Sequence, residues 1–403
     1  MANVNRLRCL VLVLVQASLL FLSLSCGREV PQSTLTPTPT PAPGDATNAA
    51  SNYVVRGNLM RSREHFVQHK AGRVAFLGGS VTNLAWREKV MSYLAGSFPD
   101  TSFDFVNAGL NGTPAELGAF RLEEDVFARG PVDLMFLEFA VNGGSAEAME
   151  GIVRHARALS PEIDIVQMHI AARWFSESLD QGVIPAVVSV HEQVAEHYGN
   201  CSLHLYKEIY DRMKEGRYTW DQFAPDGVHP TEFGSIQYAE FITKFFGTMW
   251  SPPDDRAMPA VMPSPLTRDP WEHGSLVPSE KASSIRGFER VRGWTPPLNG
   301  NLKQPVSLIA SSAPGATVSF AFRGTKAGLY SVVGPDSAVV EYQIDGSGWV
   351  PLDTARDSWY PNTYYRLNYF LLDTALRDSA HVITFRTVAN QGRVFRLFRL
   401  MVG

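Results

Sequence analysis

Three side chains have the types that nucleophilic chemistry needs. Ser80 follows the apolar run Val74-Ala75-Phe76-Leu77 and the pair Gly78-Gly79. A serine at a strand tip, in a turn loosened by two glycines, can be held out as a nucleophile. Asp226 and His229 come much later, in Asp226-Gly227-Val228-His229-Pro230. An imidazole can take the serine proton and return it to a leaving alcohol, while a carboxylate fixes the imidazole tautomer and stabilises the imidazolium. That chemistry is acyl transfer through a covalent intermediate. The tetrahedral intermediate also needs preorganised donors. The backbone N–H groups of Ser80 and Gly109 and the side-chain amide of Asn142 can supply three.

These residues work only if the fold gathers them. From about Tyr53 to Trp250, short apolar strands alternate with amphipathic helices. Strands are expected at Val74–Leu77, Ser102–Val106, Asp133–Phe139, Ile163–Met168 and Ser202–Leu205. Helices are expected at Leu84–Phe98, Ala115–Ala128, Ala146–Leu159, Ile184–Tyr198 and Thr231–Phe246. Thr113-Pro114-Ala115-Glu116 has the form of an N-cap, a first-turn proline and a capping-box glutamate. Strands and helices in this alternation mean right-handed βαβ units. The expected domain is therefore a three-layer α/β/α sandwich around a five-stranded parallel sheet. Ligands bind such sheets at the carboxyl ends of the strands. Ser80, Asn107 to Gly112, Ala140 to Gly144 and the Asp226–His229 loop all fall at that edge.

In order and spacing these segments resemble the SGNH, or GDSL, hydrolases over roughly residues 73–246. Ser80, Gly109, Asn142 and Asp226-x-x-His229 match the four blocks of that family. The resemblance implies a flavodoxin-like fold, a Ser-His-Asp triad and an oxyanion hole, with no metal or organic cofactor. Two of the blocks depart from the pattern, and Ala140 stands where the third block usually begins with glycine. Gly79 stands where the family has an aspartate before the serine, and Gly143 where an acid follows the asparagine.

The ends of the chain carry other signals. Arg6 and Arg8 precede an apolar run from Leu10 to Leu22, then Ser23-Leu24-Ser25-Cys26. Residues 1–25 read as a secretory signal, too short to span a bilayer. Cys26, placed as in the lipobox it resembles, is the expected site of lipidation, giving an exported protein tethered to the cell envelope; the alternative is plain cleavage near here and a periplasmic or secreted protein. Residues 26–50 form the anchor and a Thr/Pro-rich linker, and residues 51–250 the α/β domain. Residues 251–280 are a proline-rich linker, and residues 281–403 an all-β sandwich. There Val318, Phe320 and Phe322 share one strand face, as do Val340, Tyr342 and Ile344. Asp345-Gly346-Ser347-Gly348 marks a hairpin turn.

Composition excludes some classes. A formal net charge of -4 leaves no basic excess for nucleic acid. Of three cysteines, Cys9 leaves with the signal and Cys26 takes lipid. Cys201 then has no disulfide partner and reads as a small buried hydrophobe. His191, Glu192 and His197 lack the i, i+4 histidine spacing of a zinc helix and read as a solvated face. His169 reads as a structural histidine. No lysine follows Gly78-Gly79-Ser80 in P-loop register. Trp349, Trp359, Tyr360, Tyr364, Tyr365 and Tyr369 suit core packing better than sugar stacking. Asp357 to Asn362 is the candidate loop for glycan contact.

The expected activity is hydrolysis of a short acyl ester, either a small ester or O-acetyl groups on a polysaccharide. Two alternatives stay open: acyl transfer to a glycan by the same residues, and a non-catalytic glycan-binding lipoprotein with a decayed hydrolase domain. Oligomeric state is not legible in the sequence.

Overall fold

The computed structural model describes residues 52–250, 261–355, 363–389 and 392–403. The signal segment, Cys26, the Thr/Pro linker and the Asp357–Asn362 loop with Trp359 and Tyr360 lie outside the described residues.

In chain order the first half contains β1 (Tyr53–Val54), α1 (Met60–His69), β2 (Ala71–Gly78), α2 (Ala85–Ser97), β3 (Ser102–Gly109) and α3 (Ala115–Leu122). It continues with β4 (Leu134–Glu138), α4 (Ala146–Leu159), β5 (Asp164–Met168), α5 (Phe175–Asp180) and α6 (Ala186–Tyr198). It ends with β6 (Cys201–Leu203), α7 (Leu205–Lys214), α8 (Trp220–Phe223) and α9 (Glu232–Met249). The sheet order is β1-β6-β5-β4-β2-β3, with β2 to β6 parallel and β1 antiparallel at the edge. The five expected parallel strands are present, and β1 adds a sixth. Every residue of β4 and β5 is buried, as central parallel strands covered on both faces should be, including the polar Glu138, Asp164 and Gln167.

Alternate residues of β2 feed two cores. Val74 and Phe76 pack with Phe66 of α1, Trp86 of α2 and Phe245 of α9. Ala75 and Leu77 pack with Leu117 of α3, Ile152 of α4 and Val194 of α6. Each large apolar side chain so buried contributes about 1.5–3 kcal/mol. Trp86 meets Phe76 edge-on, ring centres 5.9 Å apart, and its Nε1–H donates to the Val81 carbonyl just after Ser80.

Several local expectations need correction. Leu205 begins α7 instead of ending a strand. The helix expected over Ala115–Ala128 is α3 followed by a π turn at Glu123–Phe127. The capping box does not form. Pro114 is itself the N-cap, and the Thr113 hydroxyl donates to the Leu110 carbonyl at 2.8 Å. Glu116 instead accepts the Ser145 N–H, at 2.8 Å, at the start of α4.

The second half is two antiparallel sheets. Its strands are β7 (Ser275–Pro278), β8 (Ser284–Arg286), β9 (Glu289–Trp294), β10 (Val306–Ser311), β11 (Thr317–Gly324) and β12 (Ala327–Val333). There follow β13 (Val339–Ile344), β14 (Val350–Asp353), β15 (Arg366–Asp373), β16 (Ser379–Thr387) and β17 (Phe395–Val402). One sheet runs β15-β12-β17-β10-β9, with β7 also on β17; the other runs β14-β13-β16-β11-β8. Val318, Phe320, Val340, Ile383 and Phe385 fill the space between them. Asp345 and Gly346 take φ of 53° and 71°, the mirror-image turn a tight hairpin favours.

The two halves share apolar contacts. Leu302, Val306, Tyr330, Leu367 and Phe398 join the same cluster as Leu117 and Phe120 of α3. The segment from Met262 to Gly274 lies across α4. There Glu150 accepts the N–H groups of Leu266 and Thr267, and Arg154 reaches Glu272 at 2.7 Å. Trp349 lies under the Arg386 guanidinium, and Tyr365 and Tyr369 pack against the shared cluster. Tyr364 is exposed.

Candidate active site

The strand order places β2 between β3 and β4, so the sheet's switch point lies where β2 and β4 end. Ser80 follows β2 there, Gly109 ends β3, and Asn142 follows β4. The loop before α9 brings Asp226 and His229 to the same edge. Ser80 Oγ lies 2.7 Å from His229 Nε2, and His229 Nδ1 lies 2.7 Å from Asp226 Oδ2. An ionised carboxylate can only accept, so Nδ1 carries the proton and Nε2 presents its lone pair to the Ser80 hydroxyl.

Asp226 is built to stay ionised. Burial alone would raise its carboxyl, but the N–H groups of Val228 and His229 and the imidazole together hold it below the usual range. The two N–H bonds measure 2.9 and 2.8 Å. They also fix the loop that carries the histidine. Asp226 and His229 side chains are 54% and 42% exposed, so this edge is open to a large ligand.

Glycine at two positions follows from close approach. A Cβ on Gly79 would lie 2.0 Å from Asn142 Oδ1. A Cβ on Gly109 would lie 2.9 Å from Thr82 Cβ and 3.1 Å from the Gly79 carbonyl. The nucleophile turn, the end of β3 and Asn142 are therefore packed backbone to side chain with no room between. Arg121, fully buried on α3, ties this edge from below. Its guanidinium donates to the carbonyls of Gly78, at 2.9 Å, and Ala108, at 2.6 Å.

One expected donor is engaged. The Gly109 N–H donates to Asn107 Oδ1 at 3.0 Å. Asn107 in turn donates to Asn83, and Asn83 to Asn111, at 3.0 and 2.9 Å. An oxyanion must share or displace the Asn107 carbonyl to use that N–H. The sequence places Asn107 and Asn111 at this edge but points neither to Asn83 nor to the bonds that join the three. From the β-sandwich half, Lys303 donates to the main-chain carbonyl of Asn107 and Asn301 to that of Asn111, at 3.1 and 3.3 Å. Burial lowers the Lys303 ammonium to about 8. These contacts border a cleft of about 370 Å³ running from Gly109 to Tyr330 and Phe398.

The histidines on α6 are not a solvated face. His191 is 1% exposed, and its Nε2 lies 3.1 Å from the Gly144 carbonyl, behind Asn142. Glu192 binds Arg56 at 2.6 Å and the Ser202 hydroxyl at 2.8 Å through one oxygen. Its other oxygen meets His169 at 2.8 Å and His204 at 3.2 Å. His169, Glu192 and His204 have the donor set of a metal site, their ligand atoms within 4.8 Å of one another. Arg56 places a positive charge on the same carboxylate. These contacts anchor the segment before α1 through Arg56, while the buried His169 Nδ1 has no hydrogen-bond partner among the described residues. His197 meets the Ser264 carbonyl at 2.7 Å. Cys201 is buried, as expected.

Fold and site edge together define a flavodoxin-like α/β domain joined to a β-sandwich, with Ser80, His229 and Asp226 gathered at the carboxyl edge of the parallel sheet. A solved two-domain esterase active on acetylated mannans has the same fold, with a TM-score of 0.72 at 22% sequence identity over 86% of this chain and 96% of that one. The same description applies to a structure of such an esterase co-crystallised with mannopentaose, at a TM-score of 0.70 and 22% identity. It covers 86% of this chain and 95% of the other. No family model matches the sequence, and no curated protein matches it. The likeness is one of fold.

Proposed function

We propose that the protein is a serine esterase that removes short acyl groups, O-acetyl above all, from a polysaccharide. The observation that carries this reading is the unbroken chain Ser80–His229–Asp226, with both links at 2.7 Å. A decayed hydrolase has no reason to keep it. In the reaction, Ser80 Oγ attacks the ester carbonyl as His229 Nε2 takes its proton. His229 then protonates the leaving sugar oxygen. A water, deprotonated by the same nitrogen, releases the acid from Ser80. Asp226 holds the imidazolium formed in each half. No acceptor for the Ser80 N–H is found among the described residues, so it is the donor most ready for the oxyanion. Asn142 Nδ2 and the Gly109 N–H complete the set.

The exposed Asp226–His229 loop suits a polymer better than a ligand that must be enclosed. The structural neighbour's action on acetylated mannans makes that polymer the first to test. The reading includes export and a lipid tether at Cys26, supported by the residues around it. The experiment is acetate release from acetylated mannan by wild type and Ser80→Ala. Serine-dependent release supports the reading. Turnover of small esters without polymer release refutes the substrate class.

A further inference from the structure

Glu138 ends β4 directly beneath the nucleophile turn, and the chemistry above makes no use of it. It is 1% exposed. Its Oε2 accepts the Gly79 N–H at 3.3 Å and the Thr82 hydroxyl at 3.1 Å, on either side of Ser80. Its Oε1 has no hydrogen-bond partner among the described residues. Thr82 and Glu138 together leave no room beside Gly78, where a Cβ would lie 2.3 Å from the Thr82 hydroxyl, 2.4 Å from the Glu138 main-chain carbonyl and 2.9 Å from Oε2.

Resting on the esterase reading, we propose that Glu138 is a positioning residue. It grips the turn at Gly79 and Thr82, and through them sets where Ser80 Oγ lies against His229.

Among the described residues no cation answers this carboxyl. Arg121 of α3 is on the Gly78 carbonyl, and Arg87 of α2 is on the Thr82 carbonyl at 3.0 Å. The Tyr238 hydroxyl oxygen, on α9, accepts the Ala171 N–H at 2.8 Å. His229 lies beyond Ser80. None of these hydrogen-bonds to Glu138. Burial therefore pushes the carboxyl up to about 8, against the two donated hydrogen bonds. Below that pH the carboxyl is neutral and the turn is held. Above it, a charge forms in an apolar site, and water or movement of the turn must answer it. The sign is fixed: a raised carboxyl contributes in its protonated form and loses that contribution as pH rises through about 8.

The test is kcat and KM against pH on 4-nitrophenyl acetate for wild type, Glu138→Gln and Glu138→Ala, with circular dichroism on each. Wild type should lose kcat above pH of about 8. Glu138→Gln keeps a buried acceptor at the turn and should match wild type at neutral pH without the alkaline loss. Glu138→Ala should lose about 10²-fold in kcat with KM little changed, the scale of a small misplacement of reacting groups. If Glu138→Ala does not fold, the Glu138→Gln profile decides alone. An active wild type with an alkaline limb that persists in Glu138→Gln overturns the proposal and leaves the esterase reading standing. A wild type without Ser80-dependent turnover overturns the esterase reading itself.

Discussion

The Asn142 amide lies against Gly79, so closely that a Cβ there would stand 2.0 Å from Oδ1. The residue before Ser80 is glycine because the Asn142 amide occupies the space an acid would fill. Gly79→Ala and Gly79→Asp should therefore displace Asn142. Removing one oxyanion donor lowers rate by about 10²–10³-fold. Both variants should fall by about that factor in kcat on 4-nitrophenyl acetate, with the thermal melt within a few degrees of wild type. Near-normal turnover by Gly79→Asp would mean that Asn142 has another productive position.

Gly143 is the second departure, and the cause differs. Its φ is 86°, in the left-handed region, and the space a Cβ would enter is open, with nothing within 4 Å. The backbone, not crowding, selects glycine. Gly143→Asp should lower stability by about 1 kcal/mol, the scale of forcing a side chain into that region. Chemical denaturation measures it; an unchanged midpoint would contradict the assignment.

Asp226→Asn tests the orienting role. An amide at this position can accept from the backbone N–H groups but favours the wrong imidazole tautomer. The expected loss is about 10⁴-fold in kcat. A variant within tenfold of wild type would remove Asp226 from the chemistry.

Asp164, at the start of β5, is buried and accepts both the N–H and the hydroxyl of Ser62 through one oxygen, at 2.8 and 2.7 Å. Burial raises its carboxyl to about 7, against those bonds and two nearby arginines. The folded state thus holds a proton that the unfolded chain releases near the ordinary value of 3.8. Stability from this group is complete below about 3.8 and is lost as pH rises through about 7. Asp164→Asn lacks this contribution. Its melting temperature relative to wild type should therefore climb between those limits and level off above them. A constant difference across the range would show that Asp164 does not titrate there.

Much of this was legible in the sequence. Alternating strands and helices gave the α/β domain because β4 and β5 are buried on both faces and are mostly apolar, as in Leu134–Leu137 and Ile165-Val166. Val318, Phe320 and Phe322 showed the sandwich through period two. Ser80, Asp226 and His229 were visible because few residue sets do acyl transfer. What was not legible is what depends on partners distant in sequence. Glu116 met Ser145 of another loop instead of capping its own helix. His191 and Glu192 looked solvated because a helical wheel does not reveal that a sheet edge covers one side. The Asn107 contact that occupies the Gly109 N–H is local, two residues apart at the end of β3, but spacing alone does not distinguish a free N–H from an engaged one.

The most direct measurement is hydrolysis of 4-nitrophenyl acetate by the purified protein beside Ser80→Ala, with an octanoate ester for comparison. The account predicts acetate turnover that Ser80→Ala abolishes, and weaker turnover of the octanoate. Equal rates for wild type and Ser80→Ala would contradict it, whatever the geometry around His229.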